Sequence, residues 1–214
     1  MIKVVFVCFA LLLLPKAYAQ PLRLPFDGQW FVVQAGDTPN VNHHMTQTAQ
    51  QFGIDFAKLG GDDSRELARP NASRLEDYYS WSAPVLAPHD GEVVGVVNNL
   101  PDNPLGTKDP DNPAGNYVSI RIAPDRYIFL AHLKHMTAMV KRGDRVTAGQ
   151  FLAQCGNSGN SDYPHIHLHI QDQPGLFTGS GQNPIFGGVD IRLNGKLFLN
   201  VSWPLIRGLF IQLH

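Results

Sequence analysis

The chain has 214 residues and a formal net charge of −1 at pH 7, from 17 basic and 18 acidic side chains. No basic patch stands out along it, so nucleic acid is not an expected partner. The two cysteines are Cys8, in an apolar N-terminal run, and Cys155. A processed chain would keep only Cys155 and could form no intrachain disulfide, so it must depend on its hydrophobic core or on a bound metal.

The first nineteen residues have the pattern of a secretory signal. Lys3 precedes the apolar run VVFVCFALLLL, and the stretch ends in AYA before Gln20. The run is shorter than the ~20 apolar residues that a membrane span needs. We therefore expect an exported chain over 20–214, periplasmic or extracellular, with no membrane span after signal cleavage. Removal of Lys3 and Lys16 takes the formal charge from −1 to −3.

The remaining chain reads as β-strand almost throughout, because short apolar runs alternate with turn signals. The predicted strands are WFVVQA (30–35), GIDFAK (53–58), GEVVGVV (91–97), NYVSIRIA (116–123), RYIFLAHL (126–133), GQFLAQC (149–155) and HIHLHI (165–170). The only helical candidates are two short segments, near 62–69 and 134–140. Segment 98–116 holds four prolines and is predicted to be a long loop. The pattern favours an all-β fold, an antiparallel sheet closing into a sandwich or barrel.

Three histidines stand at every second position of the last predicted strand, His165, His167 and His169. In a strand this spacing sends all three rings to one face, with His165 and His167 ~6.6 Å apart. One ring of that pair can hold a metal ion while its neighbour reaches the water on the ion. The alternative is a strand with three half-exposed histidines. His169 lies ~13 Å from His165, too far to share one ion with both neighbours.

Two further polar side chains interrupt apolar strands. Asp55 lies within QFGIDFAK, where a buried carboxylate is costly unless it is paired or bound to a metal. His132 ends RYIFLAHL, and strict alternation places it on the same face as Leu130 and Ile128. A lone histidine there would usually be structural. Together with the histidine strand, these residues make a metal site a reasonable hypothesis.

Several segments, taken in order, resemble one known family. FLAHL, VKRGDRVTAGQFLAQCGNSGNS and PHIHLHI resemble the core of the lysostaphin/LytM-type zinc metallopeptidases, and GIDFAK and PVLAPHDGEVVGVV fit its first half. The resemblance covers about residues 50–172. It implies an antiparallel β-sheet domain, of the duplicated hybrid motif kind, with long loops lining a zinc groove. It also implies cleavage of peptide bonds in the cross-links or stem peptides of peptidoglycan.

The resemblance also implies roles for individual residues. Asp55 and His167 correspond to ligands of one Zn²⁺ per chain, and His132 and His165 correspond to the two catalytic histidines beside its water. Such chemistry is physically reasonable, because zinc lowers the pKa of bound water towards about 7. A neutral imidazole can accept the proton of that water or stabilise the developing oxyanion. His169 stands where the family often carries glutamate, and we expect it to support the site rather than bind the ion.

The first metal ligand departs from the family pattern. The family has a histidine four residues before the aspartate, where this chain has Gln51. A variant branch has N-x-H about eleven residues before the aspartate with glutamine just after, and Asn42, His44 and Gln50 match that pattern. We therefore expect His44, Asp55 and His167 to be the metal ligands. His43, Gln51 or a broken site remain the alternatives.

Other functions and the domain limits follow from the same reading. A catalytically inactive member would bind murein or activate a partner amidase. The halves PVLAPHDGEVVGVV and VKRGDRVTAGQFLAQ also resemble biotinyl and lipoyl carriers, but the lysine those carriers need between the halves is missing.

We expect one domain over 20–214, with a β extension over 173–214 in which Asn194-Gly195 makes a hairpin turn. The peptides cleaved could also be other exported peptides.

Overall fold

The computed structural model describes residues 20–61, 64 and 66–214, so the predicted signal over 1–19 lies outside the described residues. Thirteen strands account for the regular structure of this part of the chain: β1 (Trp30–Gln34), β2 (Ile54–Lys58), β3 (Pro84–Leu86), β4 (Gly91–Val97), β5 (Asn116–Ala123), β6 (Arg126–Leu133), β7 (Arg145–Val146), β8 (Phe151–Gln154), β9 (Ile166–Gln171), β10 (Gly181–Gln182), β11 (Phe186–Leu193), β12 (Lys196–Trp203) and β13 (Phe210–Leu213). Three short 3₁₀ helices complete it, at His43–Thr46, Thr48–Gln50 and Leu75–Asp77. The predicted antiparallel all-β class is confirmed.

One large sheet organises the molecule. Its order is β12-β11-β13-β1-β2-β9-β6-β5-β4-β7, with β10 pairing to β9, while β3 and β8 form a separate two-stranded sheet. The core side of the central strands is fully apolar, as Leu168 on β9 and Leu130 on β6 illustrate with 0% exposure. Successive side chains of a strand point to opposite faces, so the histidines that alternate with these apolar residues lie on the other face.

The predicted helix over 134–140 is wrong. Apart from one turn bond, from Thr137 N–H to the Lys134 carbonyl, its backbone groups bond to distant segments: Met136 N–H donates to the Asn98 carbonyl and Met139 N–H donates to the Leu152 carbonyl. Tertiary hydrogen bonds therefore override the local helical pattern. The described part of the other helical candidate, residues 64 and 66–69, is not helical either.

Segment 98–116 is a long loop, as predicted, and it lies along the segment that precedes β9. Asp109 N–H donates to the Gly159 carbonyl and the Asn103 side chain donates to the same oxygen. Lys108 forms an ion pair with Asp162 at 3.0 Å. The loop is thus fixed against the residues that lead into the histidine strand.

The C-terminal residues extend the sheet. Asn194 (φ 49°) and Gly195 (φ 76°) connect β11 to β12, and two positive φ values are typical of a type I′ hairpin turn. Strand β13 pairs with both β11 and β1 and so joins the hairpin to the main sheet. Among the described residues no helix is long and apolar enough to cross a membrane.

Candidate metal centre

Asp55 and His167 face each other on the two central strands. They are direct partners in the antiparallel register of β2 and β9, so their side chains project from the same face. His167 Nδ1 lies 2.9 Å from Asp55 Oδ1, and the two residues are 3% and 5% exposed. A carboxylate in such a dry place requires a partner that offsets the loss of hydration.

His44 lies in the 3₁₀ helix His43–Thr46 and contacts the same carboxylate. Asn42 caps that helix: its Oδ1 accepts from His44 N–H at 3.1 Å, and its Nδ2 donates to the carbonyls of Gly36 and Gln51 at 2.9 and 3.1 Å. His44 Nε2 lies 3.0 Å from Asp55 Oδ2. Nevertheless, this buried Nε2 makes no hydrogen bond to any residue that the structure describes. A ring nitrogen that is aimed at a carboxylate without a hydrogen bond is well placed to share a cation with it.

Gly53 makes room for the two imidazole rings. The rings of His44 and His167 are arranged edge to face, 4.5 Å between centroids. A Cβ atom at position 53 would lie 2.9 Å from His167 Cε1 and 3.1 Å from His44 Cγ. Any side chain here would therefore push one or both rings away from Asp55.

The two alternative ligands occupy different positions. Gln51 Nε2 donates to the Gly181 carbonyl at 3.5 Å, so its amide is directed towards β10. His43 is exposed, and its ligand atom lies within 4.8 Å of those of His44 and Asp55. His43, His44 and Asp55 thus form a second possible ligand group that lacks His167. We favour His167 as the third ligand because it is buried and directly contacts the carboxylate, whereas His43 faces solvent.

His132 reaches the site through a β-bulge. The register of β5 and β6 shifts between the pairs Asn116↔Leu133 and Val118↔Leu130, and His132 has φ 59°. The expectation that His132 shares a face with Leu130 is therefore wrong: Leu130 and Leu133 both lie in the core. Bulges often redirect a side chain next to an active site. The His132 ring centroid lies 4.7 Å from that of His165 and 6.0 Å from that of His167.

His132 and His165 are held in the same way. His132 Nδ1–H donates to the Ser158 carbonyl at 2.9 Å, and His165 Nδ1–H donates to the Tyr163 carbonyl at 2.8 Å. In a neutral imidazole only one nitrogen carries hydrogen, so Nε2 of each ring keeps a free lone pair. His165 Nε2 lies 3.7 Å from Asp55 Oδ1, which places that lone pair at the carboxylate.

Burial and neighbouring charge control the protonation of these groups. Burial raises the pKa of Asp55, but the neighbouring His44, His165 and His167 outweigh it, so the net pKa lies well below its usual range. Burial, with the nearby His165 and His167, lowers the pKa of His132 well below 6.5. Burial lowers the pKa of His167 to about 3 and that of His169 to about 4. His132, His167 and His169 are therefore neutral at pH 7.

His169 supports His167, and Gln171 continues the contact. His167 Nε2 lies 3.0 Å from His169 Nδ1, and His169 Nε2 lies 3.1 Å from Gln171 Oε1. Sequence reasoning expected support from His169 but missed Gln171. Extending the two-residue period of the strand by one step would have found it.

Two cavities adjoin the histidines. One of about 230 Å³ is lined in part by Pro113, Ala114 and Phe177. The other, of about 370 Å³, is lined in part by Lys108, Asp162 and Tyr163. Both cavities also contact His44 and His132, so space for a ligand lies next to these two side chains.

Comparison with known proteins identifies the family. The model of peptidase family M23 matches residues 78–184, half of the chain. An uncharacterized metalloprotease of Haemophilus influenzae is 25% identical over 181 residues, which are 78% of this chain and 34% of that protein. The peptidoglycan DD-endopeptidase ShyA of Vibrio cholerae is 26% identical over 148 residues, 69% of this chain and 26% of ShyA.

The chain therefore spans only about a third and a quarter of the lengths of these two relatives. Among solved structures, the catalytic domain of the antimicrobial peptidase lysostaphin from Staphylococcus simulans is 18% identical, with a TM-score of 0.42. That alignment covers 74% of this chain and 89% of the lysostaphin domain. Because the family model spans half of the chain, the resemblance found in the sequence is confirmed: this chain belongs to peptidase family M23.

Proposed function

We propose that this chain is an exported zinc metalloendopeptidase that hydrolyses peptide bonds in the cross-links or stem peptides of peptidoglycan. The observation that carries the proposal is the convergence of His44 Nε2, which has no hydrogen bond, with Asp55 and His167. Next to this group lie His132 and His165, each with Nδ1–H tied to a backbone carbonyl. Family membership supports peptide hydrolysis as the activity.

The residues fit a zinc ion on chemical grounds. Two imidazole nitrogens and one carboxylate are ligands that zinc prefers, and three protein ligands with an open fourth position are typical of a catalytic site. Asp55 contacts both proposed nitrogen ligands, at 3.0 Å for His44 and 2.9 Å for His167. When bound, zinc supplies polarisation of the scissile carbonyl and activation of water.

The chain's own residues would then orient the substrate and move the proton. His132 is neutral at pH 7, and its Nε2 lone pair can accept a proton from the attacking water and return it to the leaving amine. His165 presents Nε2 beside Asp55. Its imidazole can share this role or, once it has accepted a proton, stabilise the oxyanion. Their bonds to the Ser158 and Tyr163 carbonyls keep both rings oriented.

The substrate class is the finer part of the proposal. One relative is named a peptidoglycan DD-endopeptidase, and two cavities next to His44 and His132 offer room for a peptide. The predicted signal would carry the chain to the compartment where peptidoglycan lies. Other exported peptides with the same extended shape are the alternative substrates.

Zinc content provides the first test. The purified protein should contain about one zinc per chain, and His44→Ala should lose it while His43→Ala and Gln51→Ala retain it. Retention of zinc by His44→Ala together with its loss in His43→Ala or Gln51→Ala would overturn the ligand assignment. Cleavage of isolated peptidoglycan, followed by mass spectrometry of the released fragments, would then identify the bond.

The second candidate function is a catalytically inactive member that binds murein or activates an amidase. One observation favours it: Gln51 stands where the family has its first ligand, and its amide is directed to Gly181 instead of Asp55. The two functions differ in metal content. A folded protein that takes up no zinc even after the metal is added, but binds sedimented peptidoglycan, would support this candidate and contradict the enzyme.

A further inference from the structure

Three buried side chains form a line along one face of β9, leading away from the metal centre. His167, His169 and Gln171 are 3%, 1% and 0% exposed and occupy alternate positions of the strand. His167 Nε2 lies 3.0 Å from His169 Nδ1, and His169 Nε2 lies 3.1 Å from Gln171 Oε1. We refer to these three residues as the relay. Because all three side chains are buried, their polar hydrogens must be matched to one another and to the neighbouring backbone groups.

The hydrogen bonds of Gln171 determine which ring nitrogen of His169 carries hydrogen. Gln171 Nε2 donates to the backbone carbonyl of Gln173 at 2.7 Å and also to that of Gly175. Carbonyl oxygens only accept, so the NH₂ end of the amide must face them and Oε1 must face His169. Since Oε1 also only accepts, His169 must carry its hydrogen on Nε2.

The hydrogen position on His169 then fixes the tautomer of His167. A neutral His169 with hydrogen on Nε2 has a lone pair on Nδ1, which accepts from Nε2–H of His167. His167 Nδ1 is left with a lone pair, 2.9 Å from Asp55 Oδ1. Two acceptors at this distance repel each other unless a cation lies between or beside them. The opposite direction would require an amide oxygen to donate a hydrogen.

Two aromatic rings hold the middle of the relay in plane. Phe129, opposite His169 in the β6–β9 register, stacks on its ring at 4.9 Å with an interplanar angle of 1°. Phe177 stacks on it at 5.7 Å and 26°. His169 therefore cannot turn away from either hydrogen-bond partner without losing this packing.

We propose that His169 and Gln171 are positioning residues that fix His167 in the tautomer with hydrogen on Nε2, so that its Nδ1 lone pair is presented to the cation site. The tautomer itself follows from hydrogen bonds alone, while its use in holding zinc rests on the proposed function. Outer contacts of this kind orient histidine ligands in other metal sites, where their loss typically costs about 10–100-fold in metal affinity.

The tautomers can be read directly from the metal-free protein. A long-range ¹H–¹⁵N spectrum of the histidine rings should show hydrogen on Nε2 of both His167 and His169. Hydrogen on Nδ1 of either ring would overturn the proposal. If both rings carry hydrogen on Nε2 but the protein takes up no zinc, the relay is supported and the zinc part of the proposed function is refuted. If the protein takes up zinc but His169 carries hydrogen on Nδ1, the zinc part is supported and the relay is refuted.

A pair of variants tests the effect on the metal. Gln171→Met keeps the length of the side chain but removes the amide, and we expect the Kd for zinc, measured by chelator competition, to rise by about 10–100-fold. Gln182→Met is the matched control, because its amide donates to the Asp125 carbonyl outside the relay; its Kd should stay within about twofold of the parent. An unchanged Kd in Gln171→Met would overturn the positioning role. Should that variant not fold, the spectrum of the parent still decides.

Discussion

Replacement of Gly53 by alanine should disturb the proposed metal site although it replaces none of the proposed ligands. The new Cβ would lie 2.9 Å from His167 Cε1, 2.9 Å from the Gln50 carbonyl oxygen and 3.1 Å from His44 Cγ. Contacts of this length force side chains or backbone to shift, at a typical cost of about 1–3 kcal/mol. The metal-free protein should therefore unfold at a lower temperature, by roughly 2–4 °C for each kcal/mol. Because ligand geometry must hold within ~0.5 Å, zinc binding should weaken by about tenfold or more.

The assay compares Gly53→Ala with Gly61→Ala. A Cβ at position 61 would meet no atom of the described residues within 4 Å, so the control carries the same chemical change without the crowding. Thermal unfolding of both metal-free variants measures the strain, and chelator competition measures the zinc affinity. If Gly53→Ala unfolds and binds zinc like Gly61→Ala, then the two rings do not need the space that Gly53 leaves, and the reasoning is refuted.

Three further predictions concern protonation and reactivity. His132→Ala should keep its zinc but lose about 10²–10⁴-fold in kcat, as expected for a general base; equal loss of zinc would contradict that role. Burial lowers the pKa of His169 from 6.5 to about 4, so the unfolded state binds more protons below pH 6.5. In the metal-free protein His169 alone should therefore account for a loss of about 3 kcal/mol of stability as the pH falls from 6.5 to 4, with further losses from His132 and His167, whose pKa values burial also lowers; urea unfolding measures the total loss, and a flat profile would contradict it. Burial raises the pKa of Cys155, so this thiol should react with a disulfide reagent at pH 8 only after denaturation, and rapid labelling of the folded protein would count against the placement of Cys155 in the core.

The strands were predictable because each side of the sheet has its own chemistry. In β9, Ile166, Leu168 and Ile170 face the core while the intervening histidines face the groove, and this alternation is visible in the sequence. The helix prediction over 134–140 was wrong because most of the segment's backbone hydrogen bonds go to residues far away along the chain, and no local pattern records such bonds.

The candidate site was predictable only in part. Asp55 stood out as a charge in an apolar run, whereas His44 was chosen only through the resemblance to a variant branch of the family, which has N-x-H about eleven residues before the aspartate. The position of His132 depends on the bulge in β6, and a one-residue irregularity leaves no mark in the alternation of RYIFLAHL. The role of Gln171 depends on the carbonyls of a turn that lies beyond the strand, so its contacts required the structure.

The pairing of Asp55 with His167 joins residues 112 positions apart in the chain. Closing a loop of that length costs about 4 kcal/mol of chain entropy. A cation held by both side chains would act as a removable cross-link between the two halves of the domain, a part that disulfides take in many exported proteins. With Cys155 the one cysteine in the described part of the chain, metal supply would then influence how firmly the two halves stay together.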